Sequence, residues 1–500
     1  MAALAVQACA GPVSMIAGEG VRTPDPPPPE IAVTVLAADD LTPVDADVTV
    51  AGRMLEHDES GRAIVEWHDA PLELTIGAQG FHPATFPIVV LPVGLETEVR
   101  LDPVVLNGTV VTPDGRALPA ATVTLGGEET TTNKNGRFSF VRAHGSELVL
   151  TRPAWEPQTV VWDGTEERME ISMQPRMIRA LRVGGDKPGD PAVWDHLLDL
   201  AGESGVNAFV IDTKDEGGTI FWDMELALAH EVGAVDVRYD IDQVIADMDE
   251  LDLYKITRIT TFQDDFLPRA QPELAARNKN TGRPWENNNG VTWLDATDPA
   301  SWDYPLAVAQ EACRRGFDEI QFDYVRFPSD GDISVLEFDE LTSDAYYSEP
   351  KQQRRIETIS AFLEKAHGLL NPMGCAVAAD IFAITLGSPS DEGIGQQPGP
   401  LSSHVDVLSP MIYSYTYPPG WGGYDDPNEH VEELVTNTLD AGIPKLEGFS
   451  IYRPWLQRAF ITDDEILSIQ QIAEDRDMGW MLWSANTVFD LGHLPPVIDR

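Results

Sequence analysis

The sequence predicts a multidomain protein: two small all-β sandwiches followed by an α/β barrel of the TIM type, (β/α)8. Three observations carry this expectation. An internal repeat near the N-terminus has short alternating strands separated by turn residues. From about residue 176 the texture changes to strands alternating with amphipathic helices. In that second region, aspartates recur at the ends of successive strand-like runs, where a parallel barrel keeps its chemistry.

Residues 1–30 come first and read as a leader remnant and a tether. "LAVQACAG" is short, apolar and rich in small residues, and it precedes the proline-rich "TPDPPPPE" at 23–30. That arrangement resembles the end of a bacterial lipoprotein signal, in which Cys9 becomes the lipidated first residue. The basic n-region and most of the apolar core are missing, which points to an upstream start codon; the other reading is a disordered N-terminus. The expectation is an extracellular or cell-surface protein with possible membrane anchoring through Cys9. No other stretch approaches the ~18 apolar residues that a membrane span requires.

The repeat occupies residues 31–104 and 105–176. "VTVLAADDLTPVDADVTVAGRMLEHDESGRAIV" (33–65) aligns with "GTVVTPDGRALPAATVTLGGEETTTNKNGRFSF" (108–140). Each copy has a strand, a Pro-bearing turn, an A-x-V-T-[VL] strand, a Gly turn and a G-R turn, at Gly61–Arg62 and Gly136–Arg137, and each closes on a strand ending at Pro103 or Pro175. Alternating short strands of this kind indicate an antiparallel sandwich. The second copy, and more weakly the first, resembles the carboxypeptidase-regulatory-like sandwich. Neither copy has clustered His or Cys or a convergent acid pair, so both read as spacers or binding modules.

Residues 177–500 supply eight strand-like runs: 178–183, 207–215, 254–262, 319–327, 375–382, 405–414, 445–452 and 479–485. Between them, Ile356, Ile359, Phe362, Leu363, Leu369 and Leu370 recur at helical spacing, and Pro191, Trp302 and Asp464 open similar stretches. Eight strands with crossovers fit a closed parallel barrel better than an open sheet. "VGGDKPGD", after the first strand, has neither the G-x-G-x-x-G nor the Walker A spacing of a nucleotide site.

The strand ends carry the candidates. The second run ends in Asp212, Lys214 and Asp215, the third in Gln263, Asp264 and Asp265, and the fourth in Asp323, Tyr324 and Arg326. The fifth ends in Asp380, the sixth in Tyr413, Ser414 and Tyr415, the seventh in Tyr452 and Arg453, and the eighth in Trp483, Ser484 and Asn486. Aspartates with aromatics around one mouth suit a sugar. Cleaving a glycosidic bond needs one carboxyl to protonate the departing oxygen and a second, ~5–9.5 Å away, to attack or stabilise the oxocarbenium-like centre or activate water. Asp323 and Asp380 on neighbouring strands are the natural catalytic pair, with Glu319 and Gln321 on the same side of the strand as Asp323 but deeper. Asp212, Lys214, Asp264, Tyr324, Arg326, Tyr413, Arg453 and Trp483 are the substrate-binding candidates. Simpler roles stand beside these: Asp212 as a loop cap, one of Asp264 and Asp265 as a solvated acid, and Trp293, Trp302 and Trp455 as packing residues. Asp323 and Asp380 each interrupt an apolar strand, and a buried charge is costly unless used or paired; Arg326 is a candidate salt-bridge partner for Asp323.

Composition narrows the classes. The chain has 82 acids against 34 bases, a formal charge of −48, and only eight lysines. Such a surface repels nucleic-acid phosphates and anionic lipid. It fits solubility in high salt, or high-GC codon bias. Cys313 and Cys375 read as small buried hydrophobes, without a disulfide framework or zinc spacing. There is no G-x-S-x-G elbow, no H-E-x-x-H and no twelve-residue calcium loop, so neither cofactor nor metal is expected.

"WLDATDPASWDYPLAVAQEACRRGFDEIQFDYVRFPSDG" (293–331) resembles the signature of the bacterial putative glycosyl hydrolase domain family, with "NAFVIDTKDEGGTIFW", "LSPMIYSYTYPPGWGG", "YRPWLQ" and "GWMLWSANTVFD" following the expected order. The likeness spans roughly 177–495, and "EIQFDYVRFP" is its most specific piece. It implies a (β/α)8 barrel and glycoside hydrolysis. Gln263 and Ala296 depart from the pattern, which often has Lys and Pro there; the first bears on a substrate contact. The expected function is hydrolysis of a polysaccharide or oligosaccharide by Asp323 and Asp380. The alternatives are a non-catalytic carbohydrate-binding or cell-envelope scaffold with a glycosidase-like barrel, and a hydrolase or lyase for another surface polymer.

The charge makes one prediction. Self-repulsion at −48 is screened as the Debye length falls from ~10 Å at 0.1 M to ~3 Å at 1 M salt. The melting temperature is expected to rise over that range by calorimetry, and a flat curve would mean the acids are too dispersed to matter.

Overall fold

The structure, a computed structural model, describes residues 26–341 and 348–497. Cys9 lies outside the described residues. Among them, no helix is long and apolar enough to cross a membrane.

The first compact unit runs to Val105 and takes in Val141–His144. Its organising strand, Glu30–Ala37, buries every second residue, Ile31, Val33, Val35 and Ala37, the period of a sheet with one covered face. It pairs antiparallel with Ala63–Glu66 and parallel with Glu96–Leu101. A second sheet, in the order 53–54, 47–50, 72–77, 84–88, faces it, and Val48, Leu74 and Ile76 close the core.

The strands of 105–172 repeat this plan. Val105–Val111 lies between Arg137–Val141 and Arg168–Ser172, again with a parallel pairing to the last strand, and the partner sheet runs 128–131, 122–125, 147–151, 158–161. The sequence repeat is therefore a repeat of topology. Its G-R turns have one cause: Gly61 and Gly136 both sit at positive φ, 76° and 71°, and a Cβ on Gly136 would lie 2.3 Å from the Val110 carbonyl oxygen.

The second compact unit joins 106–140 to 145–500 and contains the barrel. Its strands are β1 (Arg179–Val183), β2 (Ala208–Lys214), β3 (Tyr254–Thr260), β4 (Glu319–Asp323), β5 (Ala376–Phe382), β6 (Val407–Ile412), β7 in two pieces (Ile451–Tyr452 and Trp455–Gln457) and β8 (Trp480–Trp483). All neighbours are parallel, and β1 pairs with both β2 and β8, closing the sheet. The fold is thus the TIM-type barrel after all-β modules that the sequence predicts. Two extra strands, Ile220–Trp222 and Val235–Tyr239, extend the sheet from β2.

The main crossover helices are α1 (Pro191–Glu203), α2 (Ile241–Glu250), α3 (Asp303–Arg314), α4 (Glu349–Leu370), α5 (Val431–Gly442) and α6 (Asp463–Glu474). Helix α1 starts where Asp190 accepts from the Ala192 amide, with Pro191 as first residue. Helix α6 opens on a Thr462–Glu465 capping box. Helix α4 buries Ile356, Ile359, Phe362, Leu363 and Leu370, and Phe362 meets Phe322 and Trp302 edge-on, with centroids 5.2 and 5.8 Å apart. Trp302 is accordingly a packing residue.

The second sandwich meets the barrel at the strands' N-terminal ends. Arg152 Nη1 lies 2.6 Å from Asp406 Oδ1, just before β6, with both side chains fully buried, and Arg116 donates to the Ser450 carbonyl at 3.0 Å, just before β7. The opposite mouth, where the candidate acids collect, carries no part of these contacts.

One expectation is corrected. Cys313 and Cys375 are not independent apolar fillers: they form a disulfide, with Cα atoms 6.1 Å apart, that pins α3 to the start of β5. Sequence separation, 62 residues, hid a contact that the crossover creates. A closed loop of this size restricts the unfolded chain, and such bonds contribute about 2–4 kcal/mol. Non-reducing mass spectrometry should therefore find Cys313 and Cys375 resistant to alkylation, and Cys375→Ala should lower the urea midpoint; free thiols at both positions would refute the pairing.

Candidate active site

The pocket begins with side-chain parity. Ala180, Ala208, Val210, Tyr254, Ile256 and Met481 point into the barrel and form its inner core. Continuing that phase toward the C-terminal ends brings Arg182, Asp212, Arg258 and Asp323 inward, on β1 to β4. Below them Glu319 and Arg453 fill the interior as a buried ion pair, at 2.7 and 2.8 Å from one guanidinium nitrogen, and Tyr254 donates its hydroxyl to Glu319 at 3.2 Å.

Arg258 is the hub. It is 1% exposed and meets four carboxyl groups. Its Nε and Nη2 donate to Asp323 Oδ2 at 2.9 and 2.6 Å, and Nη2 also donates to Glu216 Oε1 at 2.7 Å. Nη1 lies 3.3 Å from Asp212 Oδ1, and Nε lies 4.0 Å from Asp380 Oδ2. Arg182 donates to the other oxygen of Asp212. Trp483 covers both cations, its ring 4.6 Å from the Arg182 guanidinium and 5.2 Å from that of Arg258.

The acids differ in setting. Asp323 accepts a third bond, at 2.6 Å from the Tyr324 amide, and Tyr324 turns there at φ 49°. Asp380 accepts from Trp455 Nε1 at 2.8 Å through Oδ1, while Oδ2 is buried without a hydrogen-bond partner among the described residues. Burial, then the nearby charge of Asp323, pushes the Asp380 carboxyl well above the usual carboxylate range, against the pull of Arg258. Burial also raises Asp212, offset by Arg258 and Arg182. The charge of Arg258 holds Glu216, at the rim, down at about 2. Burial works against the charge on Arg258, yet Glu216, Asp212 and Asp323 hold it firmly protonated.

Glu216, Arg258, Asp323, Asp380, Trp455 and Trp483, together with Tyr324, Arg326, Phe382, Met411, Tyr413 and Tyr415, enclose a hollow of about 230 Å³. Tyr324 and Arg326 shape its wall, the guanidinium 4.8 Å from the Tyr324 ring and 4.6 Å from that of Phe382. The cation bonded to Asp323 is Arg258, rather than the Arg326 partner that the sequence suggested.

Four substrate-binding candidates do not line the hollow, and the first, Asp212, is fully buried between Arg182 and Arg258. A register shift between Asp212 and Lys214 inserts one residue and turns Lys214 outward, where its ammonium meets Asp264 at 2.8 Å with both side chains fully buried. Asp264 also accepts the Phe266 and Leu267 amides at 2.8 Å. Arg453 stands inside the barrel on Glu319, because β7 resumes at Trp455 and so ends later than the sequence suggested. That continuation makes Trp455, a packing candidate by sequence, a pocket residue. Sequence reasoning passed over Arg182, Glu216 and Arg258. The signal was present: both arginines share parity with interior apolar residues, beside strands ending in aspartate.

Removing the hub leaves buried acids uncompensated. Arg258→Met is expected to cost about 3–5 kcal/mol in urea unfolding, the range for breaking a buried charge cluster. The Glu216 carboxyl should then titrate closer to its ordinary 4.5 by NMR. Because its depressed value stabilises the fold above the unfolded pKa and that gain is lost as pH falls, the variant should also lose part of the wild type's acid-induced destabilisation. An unchanged Glu216 titration would contradict the network.

Known proteins give the following comparisons. A structure of a hypothetical protein from Ruminiclostridium thermocellum ATCC 27405 is 33% identical over 40% of this chain and 96% of its own, with a TM-score of 0.35. The glycoside hydrolase domain of PgaB (BpsB) from Bordetella bronchiseptica is 13% identical, covering 62% of this chain and 95% of its own, with a TM-score of 0.47. The chitobiase of Flavobacterium johnsoniae is 14% identical over 74% of this chain and 53% of its own, with a TM-score of 0.38. No curated protein matches the sequence. The family model described as "Putative glycosyl hydrolase domain" matches residues 180–489, the whole barrel from β1 through β8, and the chain belongs to that family.

Proposed function

We propose that the barrel hydrolyses O-glycosidic bonds of a polysaccharide or oligosaccharide, with Asp380 as general acid and Asp323 as the carboxylate that attacks or stabilises the anomeric carbon. The observation that carries this is the divergence of two neighbouring acids. Asp323 is bound twice by a guanidinium, whereas Asp380 is raised by burial and keeps Oδ2 without a hydrogen-bond partner among the described residues. Two neighbouring acids, one bonded to a cation and one raised by burial, are suited to opposite roles.

The geometry is compatible. Arg258 Nε lies 2.9 Å from Asp323 Oδ2 and 4.0 Å from Asp380 Oδ2, so the two oxygens are no farther apart than the sum of those distances. That limit admits the retaining spacing of about 5–5.5 Å and the short end of the inverting range, from about 6.5 Å. In the step itself, the Asp380 proton passes to the departing glycosidic oxygen as its bond to the anomeric carbon breaks. Asp323 faces the positive charge that develops there, and water then supplies hydroxide to that carbon and returns the proton. Tyr413, Trp455 and Trp483 give the sugar apolar faces, while Glu216, Arg326 and Tyr324 offer polar partners for its hydroxyls.

The proposal extends to location. A secreted or cell-surface location is supported by the Cys313–Cys375 disulfide, since such bonds persist in oxidising compartments, while lipidation at Cys9 rests on the sequence pattern alone. Mass spectrometry of the N-terminal peptide decides the lipid.

Asp323→Asn and Asp380→Asn are near-isosteric and should each lower kcat/KM by at least ~10²–10⁴ on a true substrate. Asp380→Asn should recover on aryl glycosides whose leaving groups need no proton. Wild-type kcat/KM should fall as pH rises through the raised Asp380 pKa, and Asp380→Asn should lose that limb. Wild-type rates in both variants would refute this catalytic pair, and absence of turnover by the wild type on glycans that it binds would leave the scaffold reading in its place.

A further inference from the structure

We infer that the mouth holds a glycan chain, with the pocket as its middle site, and that cleavage falls inside the chain. This rests on the glycosidase reading and specifies the substrate class. The two edges of the pocket carry the argument.

On one edge stands an aromatic platform. Tyr415, 40% exposed, lines the pocket and stacks on Tyr413 at 5.8 Å and 9°. Its other neighbour is Phe460, with ring centroids 5.3 Å apart. Phe460 is 75% exposed and held at φ 67°, a left-handed conformation that disfavours a bulky side chain. Burial does not explain its position. A polar network beneath it does: the Phe460 carbonyl accepts from Asn428 Nδ2 at 2.8 Å, and Gln457 Nε2 donates to Asn428 Oδ1 at 3.0 Å. Ser414 also donates to Asn428 Oδ1. Gln457 and Ser414 are buried, so the loops after β6 and β7 are tied together under an outward-facing ring. An exposed aromatic fixed beside a sugar pocket presents its face to the apolar face of the next pyranose.

On the other edge lies a polar hollow of about 400 Å³ that shares Glu216, Tyr324 and Arg326 with the pocket and adds Gln263, Asn287 and Asn289. Its amides are braced: Gln263 Nε2 donates to the Glu216 carbonyl at 2.7 Å, and Asn287 Nδ2 donates to Gln263 Oε1 at 3.2 Å. Amide donors and acceptors on a fixed frame match sugar hydroxyls, so units bind on both sides of the cleaved bond.

The test uses the full chain on soluble amylose, xylan, mixed-linkage β-glucan and partly deacetylated chitin, with oligosaccharides of the polymer that is cleaved. Viscosity should fall well before reducing ends accumulate. Phe460→Ala should lower kcat/KM about tenfold on chains of five or more units and much less on disaccharides; Asn289→Ala should show the same length dependence, and Phe460→Trp should keep the long-chain rate. Release of single units from chain ends, or a Phe460→Ala effect independent of length, overturns the inference while leaving glycosidase activity intact. Should none of the polymers be cleaved, affinity electrophoresis in the same polymers decides. Retardation of the wild type that Phe460→Ala loses supports a chain-binding cleft in a protein that is not a glycosidase. Equal mobility, or no retardation, overturns it.

Discussion

A single buried guanidinium organises the mouth of this barrel. Arg258 lies on β3 between β2, which carries Asp212, and β4, which ends in Asp323, and Asp212, Glu216, Asp323 and Asp380 all face it. Carboxylates this close repel one another and lose hydration, so a cluster of four is unstable without a permanent cation. Arginine is suited to that place, since it stays charged when buried and its planar fork serves several acceptors. The cation is not shared evenly. Asp323 takes two of its bonds and Asp380 none, so the two neighbouring acids stand in unlike surroundings, one bonded twice to the cation and the other raised by burial.

The rest of the unit holds this cluster still. Beneath it, Glu319 and Arg453 form a second buried pair that fills the centre of the barrel. Farther down, Arg152 and Asp406 join the second sandwich to the strands' N-terminal ends. The disulfide ties α3 to the start of β5, the strand that carries Asp380. Outside the sheet, Phe322, Phe362 and Trp302 pack α4 against β4, the strand that carries Asp323. The two central acids thus stand on strands supported from both faces, and the loops above them are free to vary.

Polar and aromatic groups divide the mouth between them. Toward β6, β7 and β8 the lining is Tyr413, Tyr415, Trp455 and Trp483; toward β2, β3 and β4 it is acids, amides and arginine. In the proposed reaction, a sugar with apolar and hydroxyl-bearing faces would be oriented by a cleft with one side of each kind.

Much of this was legible in the chain. Period-two alternation in EIQFD sets Glu319, Gln321 and Asp323 on one face, and in the barrel they do line the interior. The paired G-R turns reported two sandwiches of one strand plan, because a positive φ demands glycine at the same step of each copy. These are local properties, and local rules reach them. Four features needed the tertiary structure. The extra residue between Asp212 and Lys214 reverses the direction of a side chain, yet it leaves no mark in hydrophobic pattern. The gap at Arg453 and Pro454 lets β7 resume at Trp455, which moves an arginine inward and a tryptophan to the pocket. The partners of Arg258 come from β2, the loop after it, β4 and β5, and the Cys313–Cys375 bond joins a helix to a later strand. Sequence alone determined which residues face which side of each strand, since that depends on backbone geometry. Only closure of the barrel decided which of them meet, since an ion pair or a disulfide depends on distance in space rather than along the chain.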